Sequence, residues 1–166
     1  GTLPETDLSE LNTKTSGLVT ASSVSTLSGT TLDVKAVTDA LGTSGDAISV
    51  GTMTGSVTNA TINISDTGIA SNIDSIADKT SGTVTAAISA DTAAALNSEL
   101  ADAGGQVNAY NLTINGSSAI STDITSLDNK TSGSITLSGT SMTITVASGE
   151  TLDLSGVTNS LSGTLT

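Results

Sequence analysis

Threonines two residues apart recur along this chain of 166 residues: Thr52/Thr54, Thr83/Thr85, Thr143/Thr145 and Thr164/Thr166. On a strand, residues i and i+2 project to the same side. Each pair therefore predicts two hydroxyls facing out, with Met53, Val84, Ile144 or Leu165 between them facing in. Thr20, Thr85, Thr136 and Thr166 each stand three residues after a recurring glycine and are expected to stack as a column. The candidate outward face is Thr20, Thr83, Thr85, Thr136, Thr143, Thr145, Thr164 and Thr166. Regular hydroxyl rows on a flat face could order water on an ice-like lattice. Asn108 and the stretch Asp46–Ser49 interrupt the rows. Threonine is also simply a good strand residue.

Three of the four lysines fall in one phrase, Lys-Thr-Ser-Gly, at Lys14–Gly17, Lys79–Gly82 and Lys130–Gly133. A catalytic lysine needs a desolvated pocket and a partner. A phrase that repeats points instead to structure, with each lysine near a helix C-terminus, where positive charge is favoured. Asp33, Asp39, Asp66, Asp78, Asp91, Asp128 and Asp153 are oxygen donors that calcium could use. No D-x-[DN]-x-[DN]-G loop accompanies them, so they read as capping and turn residues. No cofactor is expected.

The missing residue types exclude more chemistry. Without cysteine or histidine there is neither a thiolate metal site nor a histidine base. No G-x-S-x-G elbow or Walker lysine is present. Paired carboxylates could hydrolyse glycosides, but the acids are scattered and Tyr110 is the one aromatic residue. The chain reads as a non-enzyme. A net charge of -12 with no arginine argues against nucleic acid and anionic membranes. No apolar run is long enough to insert into a membrane. Serine and threonine make up roughly a third of the residues, far above ordinary usage. This composition points to an extracellular or cell-surface location. Sequons at Asn59, Asn63, Asn111, Asn115 and Asn129 exceed chance only slightly. The absence of a signal peptide or initiator methionine suggests a processed or excised segment.

The elements that carry these residues repeat. Before each Lys-Thr-Ser-Gly stands an apolar pair spaced three apart: Leu8/Leu11, Ile73/Ile76 and Ile124/Leu127. That spacing predicts a short helix, closed by a left-handed glycine and followed by a strand. Thr6 or Asp7 is the expected N-cap of the first helix. Degenerate copies lie between, so the whole chain, 1–166, reads as one array of six copies. They are anchored at Gly17, Gly45, Gly82, Gly105, Gly133 and Gly163. The period is about 29 residues, in the range of stacked repeats. One copy buries a few aliphatics at ~1.5–3 kcal/mol each, too little to order its backbone at ~1–2 kcal/mol per residue. Copies must therefore share edges. The expected fold is mainly β, a β-solenoid of about six turns with a short helix at one corner. The C-terminal "SLSGTLT" shows no polar cap, so the chain is expected to meet a neighbouring repeat or another subunit end to end.

The pattern at Thr15–Val37 resembles the Thr/Ser/Gly-rich tandem repeats of giant cell-surface and fibre proteins of marine cyanobacteria and their phages. The resemblance implies a structural or adhesive rod with no active site to carry over. The readings are therefore an extracellular structural repeat, as in a fibre, filament or appendage, and an ice-binding surface.

Overall fold

The apolar pairs spaced three apart do form helices. In the computed structural model, which describes residues 2–42, 48–54, 56–101 and 106–166, they lie on α1 (Glu5–Lys14), α3 (Ala70–Ala77) and α5 (Ser121–Lys130). Two more helices fall between them, α2 (Thr31–Asp39) and α4 (Ala93–Glu99). Helices α2 and α4 begin at threonines whose hydroxyls accept the amide of the third residue on: Asp33 N to Thr30 Oγ1 at 3.3 Å and Ala95 N to Thr92 Oγ1 at 3.2 Å. Such caps satisfy amides that have no partner within the helix. The start of α1 differs from expectation: Pro4, and not Thr6 or Asp7, holds the cap position. Proline lacks an amide hydrogen and has a preset φ, which suits a helix entrance.

The strands are β1 (Thr2–Pro4), β2 (Val19–Ala21), β3 (Thr26–Gly29), β4 (Ile48–Val50), β5 (Met53–Thr54), β6 (Val57–Thr58) and β7 (Thr61–Gly68). They continue with β8 (Val84–Ile88), β9 (Ala109–Ile114), β10 (Ser118–Ile120), β11 (Ile135–Gly139), β12 (Thr143–Thr145) and β13 (Val157–Leu161). Seven of them form one sheet in the order β1-β3-β7-β8-β9-β11-β13. Every pairing in it is parallel. Two small parallel ladders, β2 with β4 and β10 with β12, and an antiparallel pair, β5 with β6, stand beside it.

The expected mainly-β solenoid of about six turns is overturned. The molecule is mixed α/β, with helices of 7 to 10 residues between the strands of a parallel central sheet. The physical reason lies in the share of the core that the helices carry: Ile73, Ile76, Ile124 and Leu127 are all fully buried, so the expected short helices cover one face of the sheet and do not merely turn a corner. Consecutive helices pack beside one another, α1 to α2, α2 to α3, α3 to α4 and α4 to α5, as a layer of their own.

The core between sheet and helices is aliphatic. Leu27, Ile62, Val84, Leu112, Ile114, Ile135 and Leu137 from the strands meet Leu8, Val34, Val37, Leu96 and the four residues just named. Tyr110 is fully buried on β9 opposite Ala86 on β8, a large residue beside a small one. Its hydroxyl accepts a hydrogen bond from Asn108 Nδ2 at 2.9 Å, while Asn108 Oδ1 accepts the amide of Val84 at 2.9 Å. A buried amide side chain is thereby satisfied.

The recurring glycines have a different role from the one expected. Gly17, Gly82 and Gly133 are not in the left-handed region. A β-carbon at Gly82 would stand 2.5 Å from the carbonyl oxygen of Ala60, and one at Gly133 would collide with that of Tyr110. Glycine is needed there for close backbone approach. The expected anchors Gly45 and Gly105 lie outside the described residues.

Candidate functional site

Parallel sheets are ordinarily covered on both faces. Here the residues that alternate with the core positions are exposed or half-exposed and mostly polar: Thr61 and Asn63 on β7, Thr85 on β8, Asn111 and Thr113 on β9, Thr136 and Ser138 on β11, Thr158 and Ser160 on β13, with the alanines Ala87 and Ala109 among them. This uncovered face is the candidate site. Register organises it into rows. Thr113, Thr136 and Thr158 are paired side by side across three strands, with Ser138 beside Ser160 two residues on. Adjacent strands put such neighbours about 4.8 Å apart. Towards the other end, Thr26 and Thr61 face each other with their hydroxyls 2.9 Å apart.

The expected threonines divide among three ladders. Thr85 and Thr136 lie on the main sheet but in different rows. Thr85 is flanked by Asn63 and Ala109, whereas Thr136 is flanked by Thr113, four residues beyond Ala109 on β9. Thr83 is exposed just before β8. Thr20 lies on β2, opposite Ser49. Thr143 and Thr145 lie on β12, opposite Ser118 and Ile120 of β10. Residues 164–166 run along the other side of β12: Ile144 N donates to Thr166 O at 2.8 Å, Met142 N to Thr164 O at 3.1 Å, and Thr166 N to Met142 O at 3.1 Å. The Thr143 and Thr166 hydroxyls sit 3.1 Å apart. Thr20, Thr85, Thr136 and Thr166 therefore do not form one column. The residues between the threonine pairs do turn inward, with Val84 buried and Met53, Ile144 and Leu165 half-buried against the core.

The Lys-Thr-Ser-Gly phrase is a backbone clamp, and its threonine is the residue that sequence reasoning passed over. Thr131 Oγ1 accepts the amide of Gly133 at 2.9 Å and contacts the carbonyl oxygens of Tyr110 at 2.8 Å and Asn108 at 3.2 Å. Thr80 repeats this with Gly82, Ala60 and Thr58 at 2.9, 2.5 and 3.3 Å. The next serine adds its amide, Ser132 N to Asn108 O and Ser81 N to Thr58 O, both 2.8 Å. Lys130 Nζ reaches back to Asn97 of α4, to its carbonyl oxygen at 2.8 Å and its Oδ1 at 2.9 Å. The motif ties one strand's entrance to the chain before it. A threonine two residues before a glycine and four before a strand was the available signal.

The aspartates named as oxygen donors are placed singly. Asp33 accepts the Thr30 hydroxyl at 2.6 Å within the α2 cap, and Asp39 pairs with Lys35 at 2.8 Å. Asp66 accepts both the hydroxyl and the amide of Thr31, at 2.8 and 2.7 Å. These bonds, the hydroxyl's foremost, hold its carboxyl below the ordinary aspartate range. Asp153 accepts the Ser155 amide at 2.8 Å and is lowered by that bond. Asp91 accepts the amide of Thr92 at 2.6 Å. Asp78 ends α3, and Asp128 is exposed on α5. Among the described residues, no three acidic groups converge as a metal site would require.

No helix among the described residues is long and apolar enough to cross a membrane. No protein-family model, curated protein or solved structure matches the chain.

Proposed function

We propose that this chain is a non-catalytic structural segment of an extracellular surface fibre, filament or appendage. One observation carries the reading: a parallel sheet, backed by helices on one face, leaves in-register hydroxyl and amide rows on the other. Threonine hydroxyls there and on the neighbouring ladder bond to each other, Thr26 to Thr61 and Thr143 to Thr166. Cross-strand pairs of this kind each contribute roughly 0.2–1 kcal/mol to a sheet. Hydroxyls engaged in this way brace strands. The acidic composition, without cysteine, and the resemblance to cyanobacterial and phage fibre repeats support the same reading.

Electron microscopy of the purified chain at rising concentration tests it. Filaments of constant width with a subunit repeat are the expected result. Monodisperse particles at every concentration would overturn the fibre reading.

A second reading, an ice-binding surface, draws on the row Thr113, Thr136 and Thr158. Its test is thermal hysteresis, which a bracing sheet does not produce. Non-colligative depression of the freezing point, abolished by Thr136→Leu, would decide for ice binding.

A further inference from the structure

Three side chains on one face of α5 converge on a single carboxamide of α4. Asp123, Ser126 and Lys130 are spaced three and four apart, which sets them one above another on the helix. All three reach Asn97. Lys130 Nζ donates to Asn97 Oδ1 at 2.9 Å, and Ser126 Oγ donates to the same oxygen at 2.7 Å. Asn97 Nδ2 donates to Asp123 Oδ1 at 3.2 Å. An amine, a hydroxyl and a carboxylate thus surround one amide group. All four side chains are half-buried, and Ser126 and Lys130 also line an open groove of about 630 Å³.

Helix capping accounts for only part of this arrangement. The bond from Lys130 Nζ to the Asn97 carbonyl oxygen, at 2.8 Å, is enough to serve the last turn of α4. It does not require that the side-chain amide be polarised at its oxygen by two donors and held at its nitrogen by a carboxylate. Nor does the Lys-Thr-Ser-Gly phrase supply the arrangement by itself. Lys79 holds the same place in the phrase after α3, but the helix before it offers no carboxamide at the matching position. The fifth residue after the α2 cap Thr30 is Lys35, whereas the fifth after the α4 cap Thr92 is Asn97.

We propose that Lys130 and Asn97 join through an amide cross-link formed by the folded chain itself, with Asp123 as the proton carrier. A nitrogen 2.9 Å from Oδ1 is within reach of the carbon one bond behind it, the near-attack range being about 3–3.5 Å. Lys130 Nζ, once its extra proton has passed to water in the groove, adds its electron pair to Asn97 Cγ. The carbonyl pair moves onto Oδ1, where the Ser126 hydroxyl steadies the charge. Nζ and Nδ2 then hang from one carbon, so a carboxylate bonded to one is within reach of the other. Asp123 takes a proton from Nζ and passes it to Nδ2. The Cγ–Nδ2 bond breaks as the carbonyl re-forms, and ammonia leaves. One C–N bond is made and one broken, nothing is oxidised or reduced, and no co-reactant is consumed. The reaction runs once per chain, which is self-modification and not turnover. The bond closes a covalent ring that includes β9 and β10 and locks α4 to α5. Such a ring suits a fibre under tension, but an isolated chain forms it equally well.

The mass of the intact, folded chain tests this without any substitution. The expected value is one ammonia below that of the sequence. Cleavage after glutamate cuts at Glu99 and Glu150 and so separates Asn97 from Lys130, yet residues 11–99 and 100–150 should stay joined. Trypsin should cut after Lys79 but not after Lys130, whose amine is acylated. Full mass, with the two peptides apart and Lys130 cut, overturns the proposal. So does a bridge to any residue other than Asn97. Ammonia lost with the peptides apart also overturns it, because that marks a cyclised asparagine elsewhere. Lys130→Arg keeps the positive charge and should restore the full mass. Asp123→Asn keeps an acceptor for Asn97 Nδ2 but cannot carry a proton. It should slow bond formation, followed by mass over time, about a hundredfold or more with the circular dichroism spectrum unchanged. An undiminished rate in that variant overturns the part given to Asp123.

Discussion

The hydroxyl of Thr131 stands 2.8 Å from the carbonyl oxygen of Tyr110, a residue twenty-one positions earlier in the chain. The Thr131 hydroxyl oxygen itself accepts the amide of Gly133, two positions after Thr131. One small side chain thus serves a turn and a contact between strands, and it does so in a buried place. Removal of the hydroxyl with the shape kept, Thr131→Val, takes this acceptor from the Gly133 and Tyr110 amides and this donor from the Tyr110 and Asn108 carbonyls. A buried polar group so abandoned costs about 1–3 kcal/mol. Urea unfolding should show that loss for Thr131→Val and for Thr80→Val, and almost none for Thr15→Val. Equal losses at all three would mean that the clamp does not join strands.

The glycine of the same phrase allows a second test, because left-handed conformation and close approach make opposite demands. Gly133→Ala places a β-carbon against the Tyr110 carbonyl, so the strand entrance must shift. Overpacking of this sort costs typically about 1–3 kcal/mol. Gly17→Ala, with open space around it, should be neutral or slightly stabilising through the unfolded chain. A thermal-melt comparison decides. If Gly17→Ala were the more damaging change, a strained local conformation would be the better account.

Much of this was legible in the sequence, and the remainder failed for identifiable reasons. The apolar spacing at Ile73/Ile76 and Ile124/Leu127 announced helices, and both pairs are buried where expected. The inward turn of Val84 followed from alternation alone. The relative weight of helix and strand did not, because a repeat period does not say whether neighbouring copies meet through a sheet alone or also through a layer of packed helices, as α1 to α5 do here. Rows across strands were also hidden. Thr85 and Thr136 stand at equal distances from similar glycines, yet β7 and β8 shift register between Asn63 and Thr67, and the offsets between neighbouring strands are unequal. A period counted along the chain carries no information about such shifts. The clamp threonines were visible in every copy of the phrase, but lysine, the rarer residue, drew the attention.

Acid titration addresses Asp66. Its carboxylate accepts two hydrogen bonds from Thr31, the residue that opens α2, and its folded pKa lies below the ordinary value. A lowered folded pKa stabilises the protein above the unfolded pKa of about 3.9. That contribution disappears as pH falls through the folded value. The melting temperature of the native chain should therefore exceed that of Asp66→Ala by a constant margin at neutral pH, and the margin should shrink below about pH 4. A margin that does not change with pH would show that the carboxylate's charge plays no part.

The single aromatic residue offers the sharpest test of the core. Tyr110→Phe keeps the ring and its packing but removes the acceptor for Asn108 Nδ2, and Asn108 is fully buried. Asn108 Oδ1 also holds the Val84 amide at the start of β8, so a side chain that turned to seek another partner would release that strand. The expected cost is about 1–3 kcal/mol, a buried donor left unmade. Amide hydrogen exchange at Val84 should quicken in the same variant, because its acceptor is no longer held in place. Exchange at Ile62, in the register position beside Val84 but bonded through its own amide to Thr83 O at 3.0 Å, should change less. If both amides quicken together in step with global stability, the effect is a general loss of core packing. If Val84 alone responds, the Asn108 side chain is the link between Tyr110 and the strand that carries Thr85.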